Sequence, residues 1–319
     1  MKVALRPMVL LVSTVGLYVG LAVQSSVIFP APINVSTGRA KQIESRISTA
    51  QAPNLPIRAL RNRARLITVK VLSGDSWGSG ILIQQQGQLY TVLTNEHVLQ
   101  TGNKYRIQTL DGRFHLASRY QAVSMNGNDL ALLQFRSTDA VYTVARLGRS
   151  VTLAVGDQVL AAGFPFETDV SQNTGFKFTD GQVSLVTEKA LDGGYQVGYT
   201  NAVEKGMSGG PVLNLQGEVV AVNGMHPYPL WGDPYVFEDG FKPCTPMHEL
   251  MVKSSWAIPI ETFIQLMPKS FAFTNSYSMP SLPYSSTRGI GANFDTSQQT
   301  HSSILLMRAR AEAAKSCKH

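Results

Sequence analysis

Between residues 66 and 135 the chain alternates short apolar, β-branched runs with turn residues. Runs at 66–72, 80–83, 89–94, 104–110, 114–123 and 130–135 predict strands, and Gly-Asp, Gln-Gly, Asp-Gly and Asn-Gly pairs divide them. Six strands in about 70 residues, with no amphipathic helical run between them, predict an antiparallel sheet or barrel. The pattern recurs at 152–162, 175–186, 195–200, 212–215, 218–222 and 255–258. After it, 259–267 reads as a closing helix: proline leads, and Ile260, Phe263, Ile264 and Met267 share one face. The class is all-β. Residues 225–254 interrupt the second set with five prolines, a length that predicts a functional surface loop.

The flanks lack this texture. Lys2 and Arg6 precede an apolar run of 16 residues, Met8 to Val23, the layout of a secretory signal. The run is shorter than the ~20 residues a spanning helix prefers. Residues 1–29 therefore predict export with cleavage near 22–26. The alternative is an uncleaved anchor associating with the membrane through residues 8–29. Residues 30–58, with Pro30, Pro32, Pro53 and Pro56, read as a basic linker with a short helix over 39–50. After Pro268 come 51 residues rich in Ser, Thr, Gly and Pro, a low-complexity tail over 269–319 with a helical stretch over 303–315.

Composition changes this picture little. Hydrophobic content of 44% and charged content of 15% suit a globular protein with a full core. The net charge of +7 invites a polyanion reading. Yet seven basic residues lie between Arg39 and Arg65 against one acid, Glu44, and no aromatic residues interleave as stacking platforms. That run reads as solvated, and no nucleic-acid partner is expected. The two cysteines, Cys244 and Cys317, imply no disulfide framework, though they could pair. No metal and no cofactor is expected, since His248-Glu249 lacks a second histidine at zincin spacing.

Chemistry concentrates at Lys205-Gly206-Met207-Ser208-Gly209-Gly210-Pro211-Val212. Backbone this free of Cβ atoms turns sharply, aims N–H groups into one hollow and exposes a hydroxyl. Taken alone, it is equally a glycine-rich hairpin loop. His97, directly after the 89–94 strand, supplies a candidate base held by a rigid element. Asp129, at the mouth of an apolar strand, would be costly to bury without a partner such as an imidazole.

The order His97, Asp129, Ser208 resembles the triad of double-barrel serine peptidases. The matching stretches are 77–83 (WGSGILI), 94–98 (TNEHV), 128–132 (NDLAL), 163–165 (GFP) and 206–211 (GMSGGP); 255–260 (SWAIPI) resembles a final strand-to-helix junction. The chain is thus similar to trypsin-like (chymotrypsin-fold) serine peptidases, and among them to the bacterial HtrA-like branch, over about residues 66–268. The resemblance implies two six-stranded antiparallel β-barrels with a C-terminal helix in a protease domain at 59–268, barrel 1 over 59–145 and barrel 2 over 146–268. It implies Ser208 as nucleophile, His97 as base then acid, Asp129 as its orienter, and the Gly206 and Ser208 N–H groups as oxyanion hole. Polypeptides are the implied substrates.

Two departures narrow what is carried over. The 269–319 tail is too short and polar for the PDZ domain that usually follows in this branch. Met207 stands where Asp often precedes the serine, so a switch operated by a freshly cut N-terminus is not expected. The resemblance places the primary pocket at Ala202, with Val222, Asn223 and Gly224 as its wall. Ala202 is not acidic, which points to a small or medium apolar P1 residue rather than Arg or Lys; His226 lies near, but not at, the wall position of glutamate-specific relatives. An α/β-hydrolase elbow also fits Gly-x-Ser-x-Gly, but Gly209-Gly210-Pro211 cannot start the helix it needs. The competing class is a catalytically occluded binding module of this fold at the cell envelope.

Overall fold

The computed structural model describes residues 53–166, 175–229, 232–268 and 271. The leader at 1–29, most of the 30–58 segment and the tail other than Phe271 lie outside the described residues.

Twelve strands form two closed antiparallel barrels. Barrel 1 holds β1 (Thr68–Ser73), β2 (Ser76–Gln86), β3 (Leu89–Thr94), β4 (Tyr105–Gln108), β5 (Phe114–Arg119) and β6 (Ala131–Arg136), in the order β1-β2-β3-β6-β5-β4. Barrel 2 holds β7 (Gln158–Gly163), β8 (Lys177–Leu191), β9 (Tyr195–Tyr199), β10 (Pro211–Leu213), β11 (Val219–Met225) and β12 (Ser255–Pro259), in the order β10-β11-β12-β9-β8-β7. Both barrels therefore follow one circuit, and each closes without a free edge.

Strand periodicity explains why some runs are apolar throughout. Along β6, Ala131 and Leu133 fill the interior of barrel 1, while Leu132 faces a second layer shared with barrel 2. Along β7, Val159 and Ala161 fill barrel 2, and Leu160 and Ala162 meet the same shared layer. Both faces of these strands are buried, so hydrophobic alternation is lost. The shared layer is what sets one barrel against the other.

Among the described residues four short α-helices decorate the barrels. The first, α1 (Ile57–Ile67), was not expected from the basic run it contains. Leu60, Ala64 and Ile67 recur at helical spacing and are buried, while Arg58, Arg61 and Arg65 point outward. Arg63 donates to the Gln216 carbonyl at 2.9 Å, and the Leu55 N–H to the Leu215 carbonyl at 2.8 Å, fastening α1 to the β10–β11 turn. Leu66 and Ile67, expected in the first strand, belong instead to α1; Thr68 ends it by bonding the Ala64 carbonyl at 2.6 Å.

The short α2 (Glu96–Leu99) follows β3 directly, and α4 (Ile260–Leu266) closes barrel 2 as the apolar spacing anticipated. Between β11 and β12 lies α3 (Thr245–Val252), a helix the prolines concealed. This insertion is anchored rather than loose: Tyr235 and Met251 are fully buried, and the Trp256 indole donates to the Met251 carbonyl at 3.0 Å. Cys244 stands at the head of α3, and Cys317, its expected partner in a pairing, lies outside the described residues.

Candidate active site

His97 sits on α2, one residue into a helix whose entry is fixed by Asn95. The Asn95 side chain, fully buried, donates to the Asp129 carbonyl at 2.7 Å and so ties the start of α2 to the segment before β6. Because β3 and β6 are paired from Thr94↔Ala131 onward, the two segments leave the sheet side by side. Barrel pairing thus delivers a histidine and a carboxylate to one point.

Their geometry is that of a base and its orienter. His97 Nδ1 lies 2.6 Å from Asp129 Oδ2, and the His97 backbone N–H donates to Oδ1 at 2.9 Å. An ionised carboxylate only accepts, so Nδ1 carries the proton and the Nε2 lone pair is left for chemistry. Asp129 is mostly covered, with 17% of its side chain exposed, whereas His97 keeps 42%. The acid is sheltered and the base is reachable.

Ser208 comes from the other barrel. Its loop, between β9 and β10, is held from barrel 1 by Ser79 on β2. The Ser79 N–H donates to the Ser208 carbonyl at 2.8 Å, and its hydroxyl donates to the Gly206 carbonyl at 2.9 Å. That hydroxyl also accepts the Phe164 N–H at 2.8 Å, and the Ser79 carbonyl accepts Thr94 Oγ1 at 2.7 Å. Every polar group of Ser79 is committed. The stretch 77–83 was one of the matching segments, but nothing in it marked this serine as the clamp.

Gly206 has φ of +97°, and a Cβ there would come within 2.6 Å of the Phe164 carbonyl oxygen. Only glycine allows this turn without displacing its neighbours. The turn sends the Lys205 carbonyl outward to the Phe166 N–H, at 2.8 Å. The Gly206 and Ser208 N–H groups are left with no acceptor among the described residues. Met207, between them, is fully buried in the barrel 2 interior.

The Ser208 hydroxyl donates to the Gly224 carbonyl at 3.0 Å; among the described residues it makes no hydrogen bond to His97. A rotation about χ1 would be needed to bring it to the imidazole. Of the expected pocket residues, Ala202 is exposed, and Val222 is buried in the shared layer. Asn223 is also fully buried, its side chain bonded to the Tyr199 hydroxyl and to the Met207 carbonyl at 2.9 Å. Of that wall, Gly224 is the residue that holds the Ser208 hydroxyl.

The family model of the trypsin-like peptidase domain matches residues 78–222, a span that holds Ser79, His97, Asp129, Gly206 and Ser208. The chain carries a trypsin-like peptidase domain. The chain is 32% identical over 156 residues to a serine protease Do-like HtrA of Bacillus subtilis, covering 46% of this chain and 33% of that protein. It is 31% identical over 220 residues to a probable periplasmic serine endoprotease, DegP-like, of Pseudomonas savastanoi, covering 65% and 43%. The chain thus spans less than half the length of these curated relatives. The solved HtrA-type protease AlgW, with a tripeptide, shares the fold at 22% identity and a TM-score of 0.50, over 66% of this chain and 62% of that one.

Proposed function

We propose that the chain is a serine endopeptidase that cleaves polypeptides through an acyl-enzyme. The observation that carries this reading is the bonded His97–Asp129 pair of barrel 1 together with, from barrel 2, Ser208 and the unclaimed N–H groups of Gly206 and of Ser208 itself. In the first half-reaction Ser208 Oγ attacks the scissile carbonyl carbon while His97 Nε2 takes its proton. The carbonyl π pair moves onto oxygen, and the Gly206 and Ser208 N–H groups receive the oxyanion. One such donor is worth about 3 kcal/mol in the transition state. The tetrahedral centre collapses, the C–N bond breaks, and His97 returns the proton to the departing amine. Water repeats the sequence on the ester and frees the acid. Asp129 stays ionised throughout, fixing the imidazole tautomer and stabilising the imidazolium.

Ala202, expected at the base of the primary pocket, is not acidic, which supports a small or medium apolar P1 residue. The signal-like leader and the periplasmic designation of relatives such as the Pseudomonas savastanoi protein support export to the periplasm or cell exterior, or tethering there. Among the described residues no helix is long and apolar enough to cross a membrane, and the leader lies outside them. One observation favours the second reading, an occluded binding module: the Ser208 hydroxyl rests on Gly224 rather than His97. A fluorophosphonate probe separates the two. The full chain is expected to label at Ser208 and to digest an unfolded protein, and Ser208→Ala to do neither. Equal labelling of both proteins sinks the assignment.

A further inference from the structure

The Asp129 carboxylate has a third donor besides the two from His97. The Tyr195 hydroxyl, from the first residue of β9 in barrel 2, donates to Asp129 Oδ2, the same oxygen that receives His97 Nδ1. The hairpin between β8 and β9 also reaches the aspartate through its backbone, since the Gly193 carbonyl accepts the Asp129 N–H at 2.9 Å. Space for the phenol is made by Gly224, where a Cβ would fall on the Tyr195 hydroxyl and ring. Gly224 is also the residue whose carbonyl holds the Ser208 hydroxyl. The tyrosine therefore sits behind the acid with the nucleophile's resting partner against its ring.

We propose that Tyr195 is a positioning residue of the triad: its buried hydroxyl orients the Asp129 carboxylate and sets how strongly that carboxylate supports a protonated His97. This inference rests on the endopeptidase reading. The argument is electrostatic. A hydrogen bond donated to a carboxylate disperses its charge and favours the ionised form. Charge taken up by the phenol is charge not concentrated on the imidazole, so Tyr195 tempers the basicity that Asp129 confers on His97. Tyr195 is 4% exposed, and burial together with the Asp129 charge holds its phenol well above the ordinary range, so it stays a donor. The groups facing this cluster are few. His97 and Tyr195 meet Asp129, and Tyr199, bonded to Asn223, lies beside Tyr195. The Glu96–Arg119 ion pair shares a hollow of about 550 Å³ with Asp129 on the barrel 1 side.

The test is the pH dependence of kcat/KM for the full chain on a fluorogenic unfolded protein, for wild type, Tyr195→Phe and a protein carrying 2,3-difluorotyrosine at 195. Tyr195→Phe is expected to lower kcat about tenfold with KM little changed, and to move the acid limb to higher pH by about half a unit. Difluorotyrosine, a stronger donor of the same shape, is expected to move that limb to lower pH. Coincident acid limbs in the three proteins would reduce Tyr195 to packing and overturn the proposal. Should Tyr195→Phe fail to fold, the difluorotyrosine protein alone decides in the same way. The downfield proton resonance on His97 Nδ1 reads the contact without turnover, and must shift in either variant for the proposal to stand. A wild type whose labelling does not depend on Ser208 would refute the endopeptidase reading instead, leaving this resonance to judge the contact.

Discussion

The two barrels contribute different kinds of material to the site. Barrel 1 supplies ionisable side chains, His97 and Asp129, on segments leaving paired strands β3 and β6. Barrel 2 supplies mainly backbone: two N–H groups at Gly206 and Ser208, the Gly224 carbonyl and the Gly193 carbonyl, with hydroxyls from Ser208 and Tyr195. Side-chain machinery tolerates a modest main-chain shift because rotamers adjust. Backbone machinery has no such freedom, which is why its glycines are crowded by neighbours.

That contrast can be broken most directly at Asp129. Asp129→Asn keeps the shape but offers an N–H where an acceptor is needed, so kcat is expected to fall about 10⁴-fold with an unchanged circular-dichroism spectrum. The counterpart in barrel 2 is Gly206→Ala, whose Cβ meets the Phe164 carbonyl at a φ of +97°. Displacing that peptide is expected to lower kcat about 10²- to 10³-fold. Wild-type turnover in Gly206→Ala would show that the loop is not a fixed template.

Ser79→Ala probes the tie between the barrels. It strands the Gly206 carbonyl and the Phe164 N–H in a buried place, at a cost of about 2 kcal/mol in urea unfolding, and loosens the hole as well. A stability loss without any loss of kcat would make Ser79 a purely structural clamp.

How far the sequence could be read follows the same division. The alternating runs located the strands of both barrels, and His97, Asp129 and Ser208 each announced themselves by residue type next to a strand or glycine loop. What stayed hidden depended on register across the barrels. Tyr195 is an aromatic opening a strand like any other, and its meeting with Asp129 exists only because the β8–β9 hairpin tip lands beside the segment before β6. Ser79 sits among glycines in β2 and shows its role only opposite the Gly206–Ser208 loop. Helix α1 was obscured by charge: four arginines masked an apolar stripe three residues wide. Proline masked α3 in the same way, although Pro246 stands in its first turn, where a missing N–H costs nothing.

The smallest expected effect lies far from the chemistry, where Asp233 accepts from His248 at 3.0 Å within the insertion. Partial burial would raise the Asp233 carboxyl, but the bonds from His248 and the Tyr235 N–H outweigh it and hold the group below its ordinary range. A depressed carboxylate contributes stability above its unfolded value and loses it as pH falls through the folded one. The stability difference between wild type and His248→Ala is therefore expected to be about 0.5 kcal/mol near neutral pH and to vanish in acid, once the pH falls through the lowered Asp233 value. A difference that persists in acid would assign it to packing of His248 against Tyr235.

The clamp at Ser79 has a consequence for modularity. The main-chain position of the attacking residue is fixed by a strand of the opposite barrel, through a bond to that residue's own carbonyl. A chimera that exchanged one barrel for a relative's would have to bring a matching partner for that carbonyl, or leave the nucleophile anchored on one side only. The smallest interchangeable part of this molecule is therefore not a barrel but a barrel together with the strand residue, Ser79, that faces its serine loop.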